Sequence, residues 1–353
     1  MKSIRIALFL AASAAPALAQ SNAPPPTAGS EVPIREVILS DGTRRYTIPI
    51  KVGAKSIDAG LDTGSTGLRI LPGVLAPSDA TSNGDYDRYS YGAGTEFRGR
   101  IGTGTLTIGI LAAPSTMELI DTKDCTREVP NCPASRIPME QFGIQGSGLP
   151  GEGFHAIIGV NMAEAEIASP LSAIGARSWI VELPRPGQDT PGRLILNPSD
   201  NETKDYARLP ILSAFAQQKG GMHDAVMGCI INTADKAKAC GPVLMDTGAP
   251  GIRLTNGPLG RTPWPNGTQA ALTLFDGAQA RAIELFTVGL REHASHLTFE
   301  EEGHVQGAAI YAGLSPYFAF DVLYDPEKRQ IGLKPRPTAP SAPAAQLVAL
   351  PNR

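Results

Sequence analysis

A chain of 353 residues is long enough to hold two substantial cores. Apolar residues make up 42% and charged residues 18%, which excludes an intrinsically disordered chain. The net charge of -3 excludes a broad basic surface, so no nucleic-acid partner is expected.

Residues 1–19 read as a secretory signal peptide. Lys2 and Arg5 give a basic start, residues 6–15 an apolar run too short to span a bilayer, and Ala17-Leu18-Ala19 a cleavage site before Gln20. A secreted or periplasmic location follows as an expectation, and no later stretch is apolar enough for a membrane span. Residues 20–33, rich in Ser, Pro and Ala, read as a linker. The 38 Gly and 31 Pro punctuate short β-branched runs, so the rest reads as all-β, mostly. Asp41-Gly42 marks a hairpin between strands at 36–39 and 45–52. The turn at 53–56 leads into a strand at 57–61 that ends at Asp62.

Asp62-Thr63-Gly64-Ser65-Thr66-Gly67-Leu68-Arg69 has a second copy, Asp246-Thr247-Gly248-Ala249-Pro250-Gly251-Ile252-Arg253, about half a chain away. The copies align without a gap, and Val243-Leu244-Met245 supplies the strand before Asp246. Two carboxylates brought face to face do not both ionise cheaply, so they share a proton. The ionised member then serves as general base and the protonated one as general acid. Thr63 and Thr247 can brace the opposite strand ends, while a side chain in place of Gly64 or Gly248 would crowd the pair. Ser65 has a hydroxyl to stabilise a carboxylate and Ala249 has none. The expected result is a higher lower apparent pKa for the pair and activity at less acidic pH.

With these motifs the chain resembles the pepsin-like aspartic proteases over most of residues 34–335. Tyr91-Gly92-Ala93-Gly94-Thr95 is similar to the family's flap, whose Tyr closes over substrate. Ile157-Ile158-Gly159 and Gln330-Ile331-Gly332 resemble the segments that pass behind the two aspartates. The run Phe320-Asp321-Val322-Leu323-Tyr324-Asp325 resembles the family's last strands.

The resemblance implies a bilobal pepsin-like acid protease fold, two homologous β lobes with the active-site cleft between them. The N-terminal lobe is expected over 34–185, the C-terminal lobe over 186–335, and a disordered Pro/Ala-rich tail over 336–353. It implies an aspartic endopeptidase, a monomer acting on peptide or protein substrate, with Asp62 and Asp246 catalytic and Tyr91 and Gly92 in the substrate-binding flap. The alternative is an inactive pepsin-like scaffold that binds a protein or glycan; such a protein has no need of two Asp-Thr-Gly copies. A half-chain that dimerises is made unnecessary by the internal duplication. Arg69 stands where the family often has a Trp behind the flap. It and Arg253 read as solvated strand residues, or else as a cleft favouring acidic side chains.

Four cysteines allow three pairings. Cys125–Cys132 and Cys229–Cys240 are favoured because each closes a short local loop, and the spacings do not fit a zinc ribbon or finger. His293, His296 and His304 beside Glu300, Glu301 and Glu302 lack zincin spacing and read as a polar surface loop. His155 reads as structural. The Gly-rich run 92–104 lacks the Gly-Lys-Ser/Thr ending of a phosphate loop, and no serine nucleophile elbow is present. No cofactor or metal is expected.

Overall fold

The computed structural model describes residues 30–165, 167–185, 188–212, 222–301 and 307–337. The signal-peptide segment, Pro186 at the expected lobe boundary, Glu302, His304 and residues 338–353 lie outside the described residues.

The first half runs through β1 (Ser30–Ile38), β2 (Arg44–Val52), β3 (Lys55–Asp62), β4 (Thr66–Ile70), β5 (Thr81–Ser90), β6 (Thr95–Ile108), β7 (Leu111–Cys125) and β8 (Ala156–Val160). Next come α1 (Pro170–Ala173), β9 (Trp179–Glu182), β10 (Gly192–Leu196), α2 (Asp200–Thr203) and β11 (Ala207–Pro210). The second half holds β12 (Val226–Asn232), β13 (Lys238–Met245), β14 (Ile252–Thr255), β15 (Gln269–Asp276), β16 (Gln279–Thr287), β17 (Leu297–Glu300) and β18 (Ala309–Gly313). It closes with α3 (Ser315–Ala319), β19 (Phe320–Asp325) and β20 (Gln330–Pro335).

Two sheets result. The thirteen-stranded one has the order β11-β20-β19-β9-β10-β1-β2-β3-β8-β4-β7-β6-β5, and the seven-stranded one the order β16-β15-β12-β13-β18-β14-β17. The internal duplication is visible in the pairing. In the first half β8 runs parallel to β3 and antiparallel to β4, and β7 runs parallel to β4. In the second half β18 runs parallel to β13 and antiparallel to β14, and β17 runs parallel to β14. Strands buried on both faces need near-continuous apolar sequence. Leu61, Leu68, Ile157, Ile158 and Ile310 meet that need and are fully buried.

Three expectations change. The segment behind Asp246 is β18, with Ile310 opposite Val243 and Gly313 opposite Met245, and not Gln330-Ile331-Gly332. Those last three residues belong to β20, between β11 and β19. A register shift at Leu244/Met245 separates Gly313 from the plain apolar-apolar-Gly pattern that β8 keeps. The first strand begins at Ser30, inside the expected linker, because residues 30–34 pair with β10. Arg336, expected in the tail, is buried and donates to the carbonyls of Tyr317 and Leu183 at 2.7 and 2.6 Å.

Cys125–Cys132 and Cys229–Cys240 form the two disulfides. The first closes a loop against the β5–β6 hairpin tip, where Thr126 N donates to Gly94 O at 2.7 Å. No helix among the described residues is long and apolar enough to cross a membrane.

Candidate active site

Asp62 ends β3, and Asp246 follows β13 directly. Each enters a turn whose glycine donates its backbone N–H back to the carboxylate. Gly64 N lies 2.9 Å from Asp62 Oδ1, and Gly248 N lies 2.7 Å from Asp246 Oδ1. The two turns are locked reciprocally. Thr63 N donates to Thr247 Oγ1 at 3.1 Å and Thr247 N to Thr63 Oγ1 at 3.0 Å. The hydroxyls go on to the strands beneath, Thr63 Oγ1 to Met245 O at 3.2 Å and Thr247 Oγ1 to Leu61 O at 2.7 Å. Four bonds between two fully buried threonines and the opposite strand ends fix the carboxylates face to face.

The glycines are required by space. A Cβ on Gly64 would lie 2.3 Å from Asp246 Cγ, and one on Gly248 would lie 2.7 Å from Asp62 Oδ1. Behind the pair, Tyr317 OH lies 2.7 Å from Thr63 Oγ1 and also contacts Tyr324 OH. This hydroxyl chain reaches the first half of the site and has no counterpart printed in its sequence motif.

The two carboxylates differ in their donors. Asp62 Oδ2 accepts from Ser65 Oγ at 2.8 Å, with Gln145 Nε2 at 3.4 Å. At the equivalent place Ala249 offers no hydroxyl. Burial, then the charge and hydrogen bond of Asp62, push the Asp246 carboxyl well above the usual carboxylate range, against the pull of Gly248 N–H and Arg45. Burial and the neighbouring Asp62 thus favour the protonated form of Asp246.

A cavity of about 560 Å³ opens over the pair and is lined from both halves of the chain. Tyr91 and Gly92 stand at the tip of the β5–β6 hairpin and line it. Tyr91 packs edge-on against Tyr89 and Phe97, with centroids 4.9 and 5.8 Å away. Its hydroxyl is buried and has no hydrogen-bond partner among the described residues.

Arg69 is not a solvated residue. It is 2% exposed, with Nε 2.9 Å from the fully buried Glu118 and Nη2 3.7 Å from Asp87. Its guanidinium carbon lies 3.5 Å above the Tyr89 ring. It ties β5 of the hairpin to β7. Arg253 differs. It is partly exposed, lines the cavity, stacks on Tyr311 at 4.2 Å and lies 3.5 Å from Glu300. Of the polar cluster near residue 300, His296 lines the cavity, and no group of His, Cys, Asp and Glu suited to a metal occurs among the described residues.

Sequence reasoning missed Tyr89, Arg45, Gln145 and Tyr317. Tyr89 was findable, since period-two alternation along β5 puts it on the same face as Tyr91. Arg45 and Gln145 had no local signal, because their partners lie 83 to 203 residues away.

The chain superposes on solved structures. It is similar to the crystal structure of aspartic proteinase from Irpex lacteus, with a TM-score of 0.59 and 15% sequence identity, covering 88% of this chain and 98% of that one. The fold is thus the all-β, bilobal pepsin-like fold expected from sequence. No family model and no curated protein matches the sequence.

Proposed function

We propose that this protein is an aspartic endopeptidase that hydrolyses peptide bonds of an extended chain lying in the cleft. The observation that carries the reading is the reciprocal Thr63–Thr247 lock, which sets Asp62 against Asp246 at the floor of a cavity lined from both halves. In the reaction Asp62 takes a proton from a water held between the carboxyls as its oxygen attacks the scissile carbonyl carbon. Asp246 gives its proton to the carbonyl oxygen, leaving a tetrahedral diol. Collapse of the diol breaks the C–N bond, the amine leaves with a proton returned through the pair, and no covalent enzyme intermediate forms. Tyr91 and Gly92 cover the peptide from above, and the buried aromatic cluster beneath the flap favours exclusion of water. The two disulfides and the leader-like residues 1–19 support a site of action outside the cytoplasm.

The test is cleavage of a mixed peptide library between about pH 3 and 8 by wild type, Asp62→Asn and Asp246→Asn. Wild type is expected to cleave and both variants to lose cleavage. Turnover that survives either substitution rejects the two-carboxylate mechanism.

A further inference from the structure

Arg45 projects from β2 and touches the supports of both aspartates. Its Nε donates to Gln145 O at 3.0 Å and its Nη1 to Gly248 O at 2.9 Å. Each of those residues is in turn a donor to one carboxylate, Gln145 Nε2 toward Asp62 Oδ2 at 3.4 Å and Gly248 N to Asp246 Oδ1 at 2.7 Å. Gln145 holds a left-handed backbone with φ 59°, a conformation that a non-glycine residue keeps only when its surroundings fix it. The Arg45 bond to its carbonyl is one such constraint.

Arg45 is only 8% exposed, and a buried cation needs a counter-charge. Among the described residues no carboxylate makes an ion-pair contact with it. The acids whose field it feels are Asp246, Asp62 and then Asp41. The negative charge of the pair is therefore the main compensation for Arg45, and by reciprocity Arg45 favours that charge.

We propose that Arg45 is a positioning residue for the Asp62–Asp246 pair: it clamps the carbonyls of Gln145 and Gly248, so fixing the donors to both carboxylates, and supplies the buried positive charge that favours their ionisation. The inference rests on reading the pair as proton-sharing. It also explains how a site that lacks a hydroxyl at Ala249 keeps its charge, since Arg45 acts in the opposite sense to that loss.

The groups facing the pair from other elements do not supply this charge. Tyr89 and Tyr91 on the flap side, and Tyr317 and Tyr324 behind it, are all pushed up by burial and stay neutral. Asp41, in the β1–β2 turn, is an acid. Glu152, Arg253, His296 and Glu300 lie along the same cavity, and among the described residues Arg45 donates to the turn that carries Asp246.

A cation favours each deprotonated state of the pair, so its removal raises both apparent pKa values. The experiment reads the carboxyl carbon signals of Asp62 and Asp246 by NMR through a pH titration, assigned with Asp246→Asn, beside kcat/KM profiles. Arg45→Met is expected to raise the upper apparent pKa by about one pH unit, a tenfold gain in proton affinity, and to move the basic limb with it. Arg45→Lys keeps the charge without the fork. It should bring the titration back toward wild type while kcat stays depressed. If Arg45→Met does not fold, Arg45→Gln, which keeps donors but not charge, reads the same shift. A folded Arg45→Met or Arg45→Gln protein whose carboxyls titrate as in wild type overturns the proposal. Failure of wild type to cleave peptide, with the titration shift present, counts against the peptidase reading alone.

Discussion

Ala249 is where the two halves of the site diverge in a way that tunes proton affinity. In the proposed mechanism activity requires one proton on the pair, so the basic limb of the pH profile follows the upper apparent pKa. Asp246, whose carboxyl burial pushes up, receives only Gly248 N–H as a donor from its own turn, whereas Asp62 receives both Gly64 N–H and the Ser65 hydroxyl. A serine at 249 would add a donor that favours ionised Asp246 and lower its proton affinity. Ala249→Ser is therefore expected to move the basic limb of kcat/KM toward lower pH and to leave the acidic limb closer to its place. An unchanged basic limb would show that the residue-level asymmetry does not set the working range. This asymmetry was legible from the two aligned motifs. The upward push on Asp246 was not, because it depends on burial and on remote residues such as Arg45, which no short motif encodes.

At the scale of the element, β4 shows why one residue was misread. Its neighbours Leu68 and Ile70 are apolar, and alternation puts Arg69 on the opposite face, which in a half-exposed strand is the solvent face. But β4 lies between β8 and β7 in the sheet, and all five of its residues are buried. The partners of Arg69, Glu118 on β7 and Asp87 on β5, are remote in sequence, so nothing near residue 69 announced them. The same remoteness hid the strand behind Asp246, where the register shift in β18 let Ile331-Gly332 look like the better match. By contrast the hairpin at Asp41-Gly42 and the strands before each aspartate were local patterns, and the structure has them. The Arg69 clamp makes a prediction of its own. Burial pushes Glu118 up to about 7 against the pull of Arg69. Below that pH a neutral Glu118 tolerates loss of the arginine; above it the variant strands a buried carboxylate. Arg69→Met should destabilise by about 3 kcal/mol at pH 8 and by clearly less at pH 5. Urea unfolding at the two pH values measures the difference, and Arg69→Met with Glu118→Leu should remove its pH dependence.

Across the whole molecule, buried acids set a common direction for stability. Burial pushes Glu284 in the second sheet up to about 7, and Asp224, which accepts from Met162 N at 2.9 Å, up to about 7 as well. Glu284 bonds through one oxygen to Ser315 at the start of α3, while its other oxygen has no partner among the described residues. A carboxyl whose folded pKa lies above its unfolded value binds its proton more tightly in the native state. Its contribution is fully present below the unfolded value and is lost as pH rises through the folded one. For Glu284 the window runs from the ordinary 4.5 to about 7, and the loss across it is about 3 kcal/mol. The molecule is therefore expected to melt at a lower temperature at pH 8 than at pH 4. Glu284→Gln keeps an acceptor for Ser315 and removes the titration, so it should flatten that slope while leaving the carboxylate pair untouched. Tm measured from pH 4 to 8 for wild type and Glu284→Gln decides it: parallel curves would place the acid dependence elsewhere, with Asp224 and Glu118 as the next groups to neutralise.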